Sequence, residues 1–359
     1  MKIAVIAPRY APDVGGVERH VAEIATRLAA GGSAVTVFTQ SRSSNLASTE
    51  QLDGVLIRRF RDRSPHATYG LAPSLFAALA RGDARDFDLV HAHGYHALPA
   101  LAALAARTTV VLTPHYHGAG HTRLADLAHR PYRLAGGLLF RRARAVICVS
   151  AAEQALVNRD FRFATRKTSV IPNGVDIAAI RAAVPYPKSG TLIVVAGRLE
   201  AYKRVDRVLA AFAELDPSFR LVLLGAGGAA VDLARQIQAL AIGDRVELRG
   251  FVDDCELHRT LRSAAVVVSL SEAEAYGLSL VEGLAAGAAV VASDIPAHRE
   301  AVGGKSGVTL VSHTAASSVV ADALRAAAEL HTQGLSVADV PSWDDVAART
   351  AELYREAIA

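Results

Sequence analysis

The stretch SEAEAYGLSLVEGLAAGAAVVASDIPAHRE, Ser271 to Glu300, decides the fold. It follows AAVVVSL at 264–270, an apolar, β-branched run of the length of a buried strand. Glu274 then falls in a polar loop, and Tyr276-Gly277-Leu278 opens a short helical segment that carries Glu282. Gly287 ends that segment as a C-cap would, and AAVVAS at 288–293 reads as the next strand. The result is a β-loop-α-β unit with two carboxylates at the carboxyl edge of a parallel sheet, the edge where open α/β sheets bind ligands. The free N–H groups of Leu278 and Ser279 at the positive helix end suit a phosphate. A carboxylate on each side accepts hydrogen bonds from polyol hydroxyls. Together these features fit a nucleotide-sugar, with diphosphate over the helix, ribose near Glu282 and sugar near Glu274. Taken alone, two solvated acids on a surface loop and helix are the commoner fate of such a pair.

Outward from this block the same plan repeats. KIAVIA at 2–7 is a first strand, followed by a loop with Gly15-Gly16, an amphipathic helix from about Val17 to Ala30, and the strand AVTVFTQ at 34–40. QLDGVLIRRFRDR at 51–63 reads as one strand with a basic exit. FDLVHAHGYHALPALAAL and RTTVVLTPHYHGAG each place histidines at a strand end, and AVICVS at 145–150 and TSVIPNGVD at 168–176 complete this half. Zinc is a competing reading of His93, His96, His115 and His117, but no cysteine or acidic ligand completes a catalytic site nearby and no metal is expected. Residues 121–145 suggest a helix broken at Pro131, with Arg141, Arg142 and Arg144 at its basic end. TLIVVAGRLEAYKRVDRVLAAF at 191–212 is strand, loop and helix, with Arg198 and Lys203 around the turn. Gly225-x-Gly227-x-x-Ala230, between a strand and a helix, matches a dinucleotide fingerprint but stands mid-chain instead of in the first βαβ unit.

These motifs resemble family 4 of the retaining glycosyltransferases (glycosyl transferases group 1). The carriers are Glu274 and Glu282 in E-x7-E spacing, the block E-x-Y-G-L-x-L-x-E-G-L-A-x-G-x-x-V-V-A-S-D, and G-R-L-x-x-x-K at 197–203. The resemblance implies a GT-B fold: two Rossmann-like, doubly wound parallel-sheet domains with the ligand cleft between them and a C-terminal helix crossing back to the first. The expected boundaries are 1–176 for an acceptor-binding domain with 342–359 packed on it, 177–189 for a linker that permits hinge closure, and 190–341 for a donor-binding domain. Arg198 and Lys203 are implied to clamp the diphosphate, with Glu274 on the sugar, Glu282 on the ribose, and Gly277, Leu278 and Ser279 at the phosphates. Gly225 belongs to the nucleotide-edge loop, and the loop of Gly250, Phe251 and Val252 meets the base. Gly16 approaches the sugar-phosphate, and His115 lies at the reaction centre, with His117 as the alternative.

The activity implied is transfer of a hexosyl unit, with retention, from a UDP- or GDP-sugar to a hydroxyl acceptor in glycan, glycolipid or small-molecule glycoside synthesis. UDP-sugar is favoured, and no metal or other cofactor is required. The alternatives are a GT-B nucleotide-sugar epimerase and a non-catalytic nucleotide-sugar binder.

Composition is consistent with two domains: 359 residues, half of them hydrophobic. Two cysteines are too few for a disulfide scaffold and suit a reducing cytosol, and no secretory leader or membrane span is read. A cytoplasmic protein is expected, with contact of the basic domain with the inner face of a membrane left open. Net charge is +4, divided as +10 (22 basic, 12 acidic) over residues 1–170 and −6 (17 basic, 23 acidic) over 171–359. The basic half hints at an anionic acceptor. No nucleic-acid partner is expected.

Overall fold

The computed structural model describes the chain except residues 14, 65–69, 117–134, 188–189 and 335–339. His117 and much of the expected 121–145 helix therefore lie outside the described residues; 135–142 are helical. The chain divides into two units, Met1–Asn173 with Trp343–Ala359, and Gly174–Ser342. Each is an α/β unit built on one sheet, in line with the two Rossmann-like domains expected of a GT-B fold.

The first unit's sheet has eight strands: β1 (Lys2–Ile6), β2 (Ala34–Ser41), β3 (Thr49–Leu52), β4 (Val55–Arg61), β5 (Leu89–His93), β6 (Thr109–Thr113), β7 (Ala145–Cys148) and β8 (Thr168–Val170). Their order is β3-β4-β2-β1-β5-β6-β7-β8. All pairs are parallel except β3 with β4. That exception corrects the single strand expected over 51–63. Asp53 and Gly54 both adopt positive φ (49° and 79°), the two-residue turn that folds a hairpin with the strands' own twist. β1, β5 and β6 are almost wholly buried, as strands covered on both faces must be. The tail helix Trp343–Ile358 packs on the first helix, Gly16–Ala30, and buries Trp343 and Tyr354 in this unit.

The second unit's sheet is wholly parallel: β9 (Thr191–Ala196), β10 (Phe219–Leu224), β11 (Val246–Gly250), β12 (Val266–Ser269), β13 (Ala289–Ser293) and β14 (Val308–Val311), in the order β11-β10-β9-β12-β13-β14. The chain leaves β9 toward β10 on one side and returns to β12 on the other, so the strand order reverses between β9 and β12. A crevice opens at such a point because the flanking connections run to opposite faces. The strands are held by an apolar core in which Ile193, Val266, Val268 and Val291 are buried in one cluster with Leu209, Phe212 and Leu324. The stretch expected as a linker, 177–189, carries a helix, Ile177–Ala182, that packs within this unit. Tyr186 donates its N–H to Ser263 Oγ at 2.7 Å.

Candidate functional site

The reversal point of the second sheet gathers charge. Arg198 follows β9 and is exposed, its guanidinium donating to the Tyr202 hydroxyl at 3.0 Å. Lys203 ends a single 3-10 turn, Ala201–Lys203, and its ammonium is ion-paired with Glu274 beyond β12. Gly197, Arg198, Lys203 and Ser269 line one recess. Burial by itself would push the Glu274 carboxyl up, but Lys203 and the Ser271 hydroxyl, which donates at 2.9 Å, outweigh it and hold the group below its ordinary range. Glu274 is therefore a fixed carboxylate at neutral pH.

Below it lies a chain of polar groups. Ser271 Oγ is 3.0 Å from Ser269 Oγ, Ser293 Oγ donates to the Ser271 carbonyl at 2.5 Å, and His298 Nδ1 lies 3.1 Å from Ser293 Oγ and 3.0 Å from the Ser293 carbonyl. His298 is 0 % exposed; burial lowers its pKa, against the opposing pull of Glu274, so it is neutral at pH 7.

The helix Leu278–Ala285 starts at Gly277, whose φ of 105° belongs to the left-handed region. A Cβ there would also stand 2.9 Å from His298 Cδ2. Both conditions select glycine, and they leave the N–H groups of Leu278 and Ser279 at an uncovered helix start. Glu282 lies within the helix and is only 3 % exposed, so a ribose contact needs the sugar edge to reach a recessed carboxylate. Gly225 has φ 130°, and a Cβ on it would run into the carbonyl of Gly197; the two strand ends meet backbone to backbone. Phe251 is 62 % exposed on the β11 loop, where a flat base could lie against it.

The first unit gathers histidines at the equivalent edge. His93 ends β5, His115 lies two residues past β6, and His20 projects from the first helix. All three are buried, His115 at 7 % exposure and the others at 1 %. His20 Nδ1 is 2.7 Å from Asn173 Oδ1, His93 Nε2 is 3.1 Å from His91 Nδ1, and His91 also meets Tyr354 Oη at 2.5 Å and Thr113 Oγ1 at 2.8 Å. Burial pulls His20 to about 4, despite the opposing bond to Asn173, and takes His91 and His93 well below the usual imidazole range. These rings are neutral. His115 itself has φ 49°, and the loop after it is held by Glu153, whose carboxylate accepts the Tyr116 N–H at 2.5 Å and the Val149 N–H at 2.6 Å. His96 is set apart and stacks on Tyr116. At Gly16 a Cβ would meet nothing within 4 Å, so packing does not demand glycine there.

Two family models cover this architecture: Glycosyltransferase Family 4 over residues 14–179 and Glycosyl transferases group 1 over 176–333. A D-inositol 3-phosphate glycosyltransferase of Nocardiopsis dassonvillei is 30% identical over 84% of this chain and 79% of its own length. The chain belongs to the group 1 glycosyltransferases. Another relative of this family, D-inositol 3-phosphate glycosyltransferase 1 of Catenulispora acidiphila, is 28% identical over 96% of this chain and 92% of its own. Among solved structures, the fold matches sucrose-phosphate synthase of Thermosynechococcus elongatus with a TM-score of 0.78 at 21% identity, covering 99% of this chain and 98% of that one. It also matches Anabaena HepE in complex with UDP and glucose, with a TM-score of 0.76 at 22% identity, covering 99% and 100%.

In this glycosyltransferase, sequence reasoning missed three residues of the two edges. His20 sits on an amphipathic helix and looks like any inward-facing polar residue of such a helix. Glu153 could have been found, because Ser150-x-x-Glu153 has the spacing of a capping box, and Ser150 Oγ does accept the Glu153 N–H at 2.9 Å. His298 gives no local signal. Asn173, read as a turn residue, is also the partner of His20. The basic end of the 135–142 helix is partly committed within the unit: Arg142 donates to the carbonyls of Ala106 and Thr108 at 3.0 and 2.6 Å, and Arg141 stacks over Phe163 at 4.7 Å. Among the described residues no helix is long and apolar enough to cross a membrane.

Proposed function

We propose that this glycosyltransferase takes a hexosyl unit from a nucleotide diphosphate sugar, UDP-sugar before GDP-sugar, and passes it to an acceptor hydroxyl with retention of configuration. The observation that carries the reading is the Lys203–Glu274 ion pair beside Arg198 at the strand-order reversal of the second sheet. An ammonium has three donors, so Lys203 can hold Glu274 and still meet a phosphate oxygen. Arg198, Lys203 and the N–H groups of Leu278 and Ser279 bind the diphosphate and stabilise the charge that grows on it. Glu274 positions the sugar, Glu282 the ribose, and Gly225, Gly277 and Phe251 shape the nucleotide side. From the first unit, Gly16 is assigned to the sugar-phosphate and His115 to the sugar and acceptor hydroxyls.

In the reaction, the acceptor oxygen bonds to the anomeric carbon on the face from which the diphosphate departs. The carbon–oxygen bond to phosphate breaks, and the departing phosphate oxygen takes the acceptor's proton. No protein nucleophile is needed. The HepE structures in complex with UDP and UDP-glucose support a uridine donor by likeness of fold. The relatives named as inositol 3-phosphate glycosyltransferases, with the +10 balance of residues 1–170, support an anionic polyol acceptor.

The test is a panel of nucleotide-sugars screened by thermal shift, followed by transfer assays with the donors that bind. A ligand bound only by the folded state raises the midpoint. A UDP-sugar should give the largest shift, and release of UDP should require an acceptor hydroxyl. A panel without a stabilising donor, or rapid turnover of donor without acceptor, would overturn the proposal. Affinity for a phosphorylated acceptor should fall with salt.

A further inference from the structure

His20, His93 and His115 bring one ligating nitrogen each to within 4.8 Å of one another, with all three rings buried. The ring centroids are 5.1 to 5.8 Å apart. The hydrogen bonds around the rings bear on which nitrogens keep a lone pair. His20 uses Nδ1 on the Asn173 side-chain carbonyl, which accepts, so Nδ1 carries the proton and Nε2 keeps its lone pair. His93 uses Nε2 on His91. We assign the Tyr354 hydroxyl as the donor to His91 Nδ1, so that His91 Nε2 donates to the Thr113 hydroxyl. That tautomer makes His91 Nδ1 an acceptor and His93 Nε2 a donor, so the lone pair of His93 is on Nδ1. His20 Nε2 and His93 Nδ1 are buried with no hydrogen-bond partner among the described residues. Two acceptor nitrogens, neither of them met by a donor there, thus sit beside a third imidazole.

A buried lone pair without a partner is costly, and a metal ion is one group that satisfies several at once. Imidazole is a ligand of choice for zinc, copper and nickel, and three histidines with one open position match a common zinc coordination set. The surrounding bonds are those that ligating histidines ordinarily show, with the ring nitrogen away from the metal donating to a carbonyl or to a neighbouring side chain. We propose that His20, His93 and His115 form a binding site for a divalent transition metal, zinc above all, within the first unit. Ligation requires the three nitrogens to be drawn in to the zinc–nitrogen distance of about 2 Å. The set differs from the His93, His96, His115 and His117 grouping suggested by the sequence, because the first helix supplies His20 while His96 turns toward Tyr116. Since His115 is also assigned to the acceptor, an ion held there withdraws that imidazole from transfer; this one consequence rests on the proposed function, whereas the site itself does not.

The full-length chain, stripped with a chelator and dialysed, is titrated with zinc by calorimetry and with cobalt(II) by visible absorption. One equivalent should bind, and cobalt should give the intense visible bands of a four-coordinate nitrogen site. His20→Ala and His93→Ala should each abolish those bands, and His96→Ala should leave them intact. Asn173→Ala, which keeps all three rings, should weaken zinc by about 10- to 100-fold. Absence of stoichiometric binding, or binding unchanged in both His20→Ala and His93→Ala, would overturn the site. These readouts involve no donor or acceptor, so they stand or fall apart from the transferase reading.

Discussion

The two sheet edges make an instructive pair. Both lie at the carboxyl ends of parallel strands, yet the second unit's edge is built from permanent charges and the first unit's from neutral rings. Around β9 and β12, Arg198 is exposed and Lys203 and Glu274 are half-buried, with the ammonium keeping the carboxylate ionised. Around β5 and β6, His20, His91 and His93 are buried and uncharged. One architecture therefore presents an edge of fixed charges and an edge of neutral imidazoles. The local exposure of each side chain, more than the sheet itself, sets which one results.

The sharpest way to break the contrast is Lys203→Ala. Turnover should fall by about 10²- to 10³-fold, the scale of losing one preorganised charge at a transition state. The pH profile adds a second reading. Wild-type Glu274 has a depressed pKa, so the stability it contributes is present above the ordinary carboxylate pKa and disappears only as pH falls through the lower, folded value. Without Lys203, burial dominates and the carboxyl should protonate at higher pH. Thermal midpoints measured from about pH 3 to about pH 7, the span over which carboxylates titrate, should then show the acid loss moved upward; superimposable profiles would sever the pair.

Next in size is Gly225→Ala, which sets a Cβ against the Gly197 carbonyl at positive φ. It should cost at least about 2 kcal/mol in denaturant unfolding. A smaller cost would mean that β9 and β10 can separate at their ends. Tyr354→Phe removes one bond to His91 inside the neutral network and should cost about 1–3 kcal/mol, with donor affinity unchanged by calorimetry. Smallest is Gly16→Ala, where the added methyl meets open space: stability should stay within about 0.5 kcal/mol while transfer slows. Unaltered transfer would remove Gly16 from the donor's surroundings.

What the sequence makes legible follows the same division. β12, the helix Leu278–Ala285 and β13 fall where apolar runs and Gly287 place them, because both strands are buried on two faces and the punctuation is local. The Lys203–Glu274 contact joins motifs whose spacing is specific enough to suggest a shared ligand. The histidine cluster is different. His20 lies 73 residues before His93 and 95 before His115, and its contacts arise only from the order of strands in the sheet. Nothing near His20 in sequence announces them. The β3–β4 hairpin was legible in principle through Asp53-Gly54, but the surrounding run alternates well enough to pass as one strand.

The placement of the helix Trp343–Ile358 has a consequence for biosynthesis. Trp343 and Tyr354 fill buried positions beside His20 and His91, in a unit whose other residues precede Gly174. A nascent chain therefore emerges from the ribosome with its first sheet synthesised but not closed, and the whole second unit is translated before the missing piece arrives. During that interval the first helix, which carries Val21, Ile24 and Leu28 among its buried residues, lacks the tail helix that packs on it in the folded unit.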